Sequence, residues 1–65
     1  MTTDEIEETA REAAYWFEGN DCGAAGPVHA ESWIAGAFRS SGAPTGSWPH
    51  WRAAFDAELA RRSAP

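Results

Sequence analysis

The sequence predicts an all-α fold, a small three-helix bundle, and three observations indicate it. Apolar residues recur at helical spacing in three segments, loops rich in glycine and proline separate these segments, and no segment alternates polar and apolar residues as a strand would. The predicted helices cover about residues 3–18, 27–41 and 48–62. With 65 residues, the chain 1–65 is long enough for one domain, so we expect a single helical domain.

The first predicted helix begins at a capping signal and ends at a Gly-Asn pair. Thr2 and Glu5 fit the capping box, in which each side chain accepts a hydrogen bond from the other residue's backbone N–H. Small and apolar residues then recur on one face, namely Ile6, Ala10, Ala13 and Phe17. Because Gly and Asn often follow the last turn of a helix, Gly19 and Asn20 predict its end.

Proline near the start marks the two other predicted helices. Pro27 and Pro49 each fit a first helical turn, where the missing N–H costs nothing, and Ser47 is placed to cap the third helix. Gly36 lies inside the second helix, where it costs about 1 kcal/mol relative to alanine unless another helix packs closely there. The combined apolar faces predict a core of Phe17, Trp33, Ile34, Phe38, Trp51, Phe55 and Leu59.

Few side chains are suited to catalysis or metal binding. The possible soft or borderline ligands are Asp21, Cys22, His29 and His50, and their spacing lacks the close ligand pairs of a structural zinc site. Cys22 follows an acidic residue instead of lying in the electropositive setting that activates a thiol. Phosphate-loop and dinucleotide-binding fingerprints do not occur. We therefore expect no enzymatic activity, no metal and no cofactor.

Composition bears on compartment and assembly. The single cysteine excludes an internal disulfide, and the acidic N-terminal segment lacks the features of a signal peptide. No stretch approaches the roughly 20 apolar residues of a membrane span. These features predict a cytoplasmic protein without a membrane partner, and we expect a monomer or a small homo-oligomer.

The charge disfavours direct binding of nucleic acid. A net charge of −5 opposes contact with phosphates. A local basic patch would have to come from Arg39, Arg52, Arg61 and Arg62. The second predicted loop is also longer than the turn of about 3–4 residues in a helix-turn-helix unit. A protein partner is therefore the expected one.

Negative charge is concentrated near the N-terminus. Residues 1–21 contain seven acidic residues and one Arg, whereas residues 22–65 contain three acidic residues and four Arg. Helical spacing places the predicted partner-binding residues opposite Ile6 on the first helix, and they are Asp4, Glu5, Glu8, Glu12 and Tyr15. We expect the acids to meet a basic surface and Tyr15 to be an apolar anchor. The alternative interpretation is a solvated face with a favourable charge bias.

In its size, acidity and lack of catalytic residues, the chain resembles small inhibitors that phages and mobile elements encode, the anti-CRISPR and anti-restriction proteins. No motif carries this resemblance, so it assigns no family. It implies an inhibitor that docks on a basic surface of its partner, such as a nucleic-acid-binding complex, by nucleic-acid mimicry. The alternative function is a host regulatory adaptor, for example an antitoxin-like or ribosome-associated factor.

Overall fold

The computed structural model describes residues 1–64, and it contains three α-helices. These are α1 (Thr3–Gly19), α2 (Pro27–Ser40) and α3 (Trp48–Ser63). One-turn 3₁₀ helices cover Cys22–Ala25 and Thr45–Ser47 in the two connections, and no strand occurs in the described part of the chain. The predicted all-α three-helix bundle is confirmed, and every predicted helix end lies within one residue of the observed end.

Local hydrogen bonds fix both ends of α1. The Thr2 backbone N donates to Glu5 Oε1 at 2.9 Å, and the Glu5 backbone N donates to Thr2 Oγ1 at 3.2 Å, so the capping box is confirmed. At the other end, Asn20 donates to the Trp16 carbonyl from its backbone N at 2.9 Å and from Nδ2 at 2.8 Å. These bonds satisfy backbone groups that a helix end otherwise leaves without partners.

The two later helices begin with a proline in the first turn, as predicted. Ser47 occupies the N-cap position of α3 as predicted, but its side chain makes no capping hydrogen bond. Its hydroxyl donates instead to the Pro44 carbonyl at 2.6 Å, and its backbone (φ −88°, ψ 2°) is not in the extended conformation of a typical N-cap. The 3₁₀ turn that leads directly into α3 holds Ser47 in this conformation.

The core is built around a continuous path of aromatic rings. Neighbouring ring centroids lie between 5.1 and 5.5 Å apart along the path Trp33, Phe17, Phe55, Trp51, Phe38 and Trp48. Most of these neighbours meet edge to face, the geometry that favours aromatic attraction, whereas Trp51 and Phe55 are stacked. The path joins all three helices.

The predicted core is largely confirmed, with differences at its margins. Trp51 and Phe55 are completely buried, and Ile34 and Phe38 are nearly so. The remaining members are only partly buried against the core, and they are Phe17, Trp33 and Leu59. On α1, fully buried alanines at positions 10 and 14 bring the helix close to its neighbours. The helix α1 packs far more extensively on α3 than on α2.

Gly36 lies where a side chain would be tolerated. A Cβ built at this position would meet only the Arg39 guanidinium, at 4.0 Å, which is ordinary contact with the end of a flexible side chain. Since Gly36 is inside α2, replacement by Ala should raise the free energy of unfolding by up to about 1 kcal/mol. Urea denaturation of Gly36→Ala measures this change. A lower midpoint than that of the original chain would show that the backbone needs glycine here.

Candidate partner-binding surface

All the predicted partner-binding residues are exposed on α1, but they do not form one continuous row. With 100° between successive helical residues, they fall into two rows about a quarter-turn apart. The α3-side row contains Asp4, Glu8, Arg11 and Tyr15. The groove row, on the side that faces α2, contains Glu5, Thr9, Glu12 and Trp16.

Cations accompany the acids in the α3-side row. Arg11 belongs to the row itself, and its Nη1 lies 3.7 Å from Glu7 Oε1 one turn before it. The Arg62 guanidinium carbon lies 5.2 Å from the centroid of the Tyr15 ring, in cation–π geometry. One face of Tyr15 is therefore covered from α3, although 52% of the residue is exposed.

The groove row carries acidic side chains without a cation among them. Glu5 holds the capping box, and hydrogen bonds from Thr2, first from its backbone N–H, lower the pKa of Glu5. Glu12 is exposed two turns further along, and Trp16 follows it by one turn with 52% of its surface exposed. This row therefore combines negative charge with a large apolar side chain.

A groove of about 400 Å³ runs between α1 and α2 beside this row. Its apolar lining consists of Ala13, Trp16, Trp33 and Ala37. Its polar lining consists of Thr9, Glu12, Ser40 and Ser41. The groove exists because small alanines line both helices at a place where α1 and α2 are only loosely packed.

The sequence predicts Tyr15 as the apolar anchor of the binding surface and does not single out Trp16. In the structure the two rings are equally exposed and meet edge to face, with centroids 5.2 Å apart. Only Trp16 lines the groove, whereas Tyr15 points towards the Arg62 side. The sequence did contain a signal for an exposed Trp16. Tyr15 and Trp16 are adjacent aromatic residues, and both lie outside the helix face that Ile6 and Phe17 define, so burial of that face leaves both of them exposed.

Arg52 connects α2 to α3 through charged hydrogen bonds. Its Nη1 and Nη2 donate to the two oxygens of Glu31 at 2.6 and 2.8 Å, and its Nε donates to Asp56 at 3.0 Å. The hydrogen bonds from Arg52 lower the pKa of Glu31, and those to Glu31 raise the pKa of Arg52. Such bidentate geometry is the strong form of the Arg–carboxylate pair.

Glu58 is a buried carboxylate that sequence reasoning did not identify. Only 7% of its side chain is exposed, and Arg61 donates to it from Nη2 at 2.5 Å and from Nε at 3.1 Å. Arg62 Nε lies 2.9 Å from the same carboxylate. These contacts, with the Arg61 hydrogen bond foremost, lower the pKa of Glu58. Arg61 and Arg62, two of the candidates for a local basic patch, are thus both held close to a carboxylate.

The possible metal ligands are dispersed. Cys22 is buried in the 3₁₀ turn, and His50 Nε2 lies 2.9 Å from Glu7 Oε2. Across residues 1–64, no group of three or more His, Cys, Asp or Glu side chains is close enough to hold a metal ion. Over the same residues, no helix is both long and apolar enough to cross a membrane.

The chain thus belongs to the all-α class, as a three-helix bundle with an acidic helix beside an open apolar groove. Comparisons with protein-family models, curated proteins and solved structures found no match to it. Its function is therefore inferred from its own residues.

Proposed function

We propose that this protein is a non-catalytic binding module whose helix α1 docks on a basic surface of a protein partner. The observation that carries the proposal is the exposure of Asp4, Glu8 and Glu12 on the solvent side of a helix whose opposite face forms the core. That helix lies in a segment with seven acidic residues and one Arg. Acidic surfaces of this kind speed the encounter with basic partners.

The ion pairs of the arginines favour a protein partner over nucleic acid. Arg52 is bound by Glu31 and Asp56, and both Arg61 and Arg62 lie against Glu58. Three of the four arginines that could have formed a basic patch therefore have carboxylate neighbours. Since contact with phosphates depends on available cationic side chains, this arrangement supports binding to a basic protein surface instead.

The simplest consequence of such docking is inhibition. A small acidic module that covers a basic nucleic-acid-binding surface would block it by mimicking phosphates, as anti-CRISPR and anti-restriction inhibitors do. A host adaptor, antitoxin-like or ribosome-associated, would use the same surface without abolishing the partner's activity. The activity of the captured partner distinguishes an inhibitor from an adaptor. If the partner is a nuclease, an excess of the proposed inhibitor should lower its nuclease activity.

The test neutralises the acids without changing their shape. In a Glu5→Gln, Glu8→Gln and Glu12→Gln triple variant, glutamine at position 5 can still serve in the capping box. Individual exposed pairs are worth only about 0–1 kcal/mol, so the main expected effect is on association rate. The partner captured from a cell extract should associate more slowly with the variant, and its rate should depend less on salt.

A matched control uses acids of the same helix and the following turn that lie outside the predicted surface, Glu18→Gln with Asp21→Asn. It removes two negative charges and the triple variant removes three, so the effects are compared per charge removed. On that basis the control should change the association rate less than the triple variant does. Equal rates and equal salt dependence for the triple variant and the original chain would reject the acidic-face model.

A further inference from the structure

The α1–α2 groove has the form of a receptor for a helix. Its two walls carry the rings of Trp16 and Trp33, and alanines 13 and 37 leave the space between them open. About 400 Å³ is within the size range of sites that accept apolar groups. Grooves between paired helices commonly receive the apolar face of an amphipathic helix. Half of the Trp16 surface remains in contact with solvent until something covers it.

The negative charge beside the groove indicates which kind of helix could bind there. Glu12 is the one charged residue among the lining residues, and Glu5 lies two turns before it in the same row. No arginine belongs to that lining. A second copy of this chain would bring its own acidic α1 and a net charge of −5, so like charges would oppose it. A basic helix complements the same surface.

We propose that the α1–α2 groove binds an amphipathic, basic helix of the protein partner. An apolar side chain of that helix inserts between Trp16 and Trp33, and Lys or Arg residues beside it face Glu5 and Glu12. This inference rests on the proposed function and names the chemistry of the partner. It also moves the apolar anchor from Tyr15 to Trp16, because Tyr15 lies in the other row beneath Arg62.

The probe is a synthetic helical peptide of Leu and Lys, about 18 residues long so that its helix can form, with Leu on one face. A scrambled peptide of the same composition is the peptide control. Binding to the full chain is followed by NMR of the Trp indole N–H groups. Those of Trp16 and Trp33 should shift, whereas that of Trp48, which lies outside the groove lining, should shift least.

Two variants with equal exposure form the central comparison. Trp16 and Tyr15 are each 52% exposed, so truncating either one removes a similar share of surface contact. Trp16→Ala should raise the Kd of the peptide by about tenfold or more, and Tyr15→Ala should change it by less than about twofold. Far-UV circular dichroism verifies that both variants remain helical.

A charge variant tests the groove without touching an aromatic ring. Ser40 lines the groove and is exposed, so Ser40→Arg should repel the basic peptide and raise its Kd while the fold persists. Likewise, Glu12→Gln should raise the Kd more than Glu8→Gln, since Glu8 belongs to the α3-side row.

The outcomes separate this inference from the proposed function. If the Gln triple variant slows association with the captured partner but Trp16→Ala and Ser40→Arg leave peptide binding unchanged, the groove proposal is overturned and acidic docking stands. Equal binding of the scrambled peptide also overturns it. Self-association that Trp16→Ala abolishes would show that a second copy covers the groove, and the basic-helix proposal would be rejected.

Discussion

Phe55→Ala should unfold most of this protein at room temperature. The Phe55 side chain is completely buried, its ring stacks on Trp51 at a centroid distance of 5.5 Å, and it meets Phe17 of α1 edge to face at 5.5 Å. Removing a buried Phe side chain typically costs about 3–5 kcal/mol. A domain of this size has a total stability of about the same magnitude. Far-UV circular dichroism should show a much weaker helical signal.

Two variants show whether the loss comes from the core cavity. Phe55→Leu retains most of the apolar volume and should keep the chain folded at a lower melting temperature. Val28→Ala removes apolar atoms from a residue of α2 that is 85% exposed, and because alanine is the better helix former its melting temperature should not fall below that of the original chain. A Phe55→Ala protein with an unchanged melting temperature would remove Phe55 from the core.

The sequence predicted the helices well because their signals are local. The capping box at Thr2 and the prolines at positions 27 and 49 mark where the helices begin, and each of these signals involves only a few consecutive residues. Core membership at the margins depends instead on how helices approach one another. Trp33 and its neighbour Ile34 both belong to the predicted apolar face of α2. Ile34 is buried, whereas Trp33 lines the α1–α2 groove and remains partly exposed. Trp33→Ala should therefore cost less than Phe55→Ala.

The candidate surface was predictable only in part, for the same reason. Periodicity alone placed Glu8 and Glu12 on the solvent side of α1. It could not show that Arg62, from the other end of the chain, lies over Tyr15. Nor could it show that Glu58 is buried, although Arg61 and Arg62 follow it at the spacing of neighbours on one helix face. Contacts between distant segments decide these features.

The position of α1 has a consequence for how function is measured. One face of this helix carries alanines of the core, and the opposite face carries the proposed binding residues. Variants of exposed α1 residues outside the capping box, such as Glu8 and Glu12, should therefore change binding while leaving the melting temperature nearly constant. Thr9 is the exception, since it lies between the two faces, lines the groove and also hydrogen bonds to the core.

Thr9→Val should lower the free energy of unfolding by about 1–3 kcal/mol, because it leaves a buried donor without its acceptor. Trp51 Nε1 donates to Thr9 Oγ1 at 3.0 Å, and Thr9 Oγ1 in turn donates to the Ile6 carbonyl at 2.8 Å. Trp51 is completely buried. Valine has nearly the shape of threonine, so the change removes the hydroxyl and little else. Urea denaturation followed by circular dichroism measures the loss.

Thr9→Ser keeps the hydroxyl and should retain more of the stability than Thr9→Val does. The decisive measurement is a double-mutant cycle with Trp51→Phe, which removes the indole N–H from the other side of the same hydrogen bond. In the Trp51→Phe background, Thr9→Val should cost much less than it does in the original chain, because no buried donor is left unpaired. An equal cost in both backgrounds would mean that Thr9 stabilises the protein through packing alone, and that the indole hydrogen bond contributes nothing to the fold.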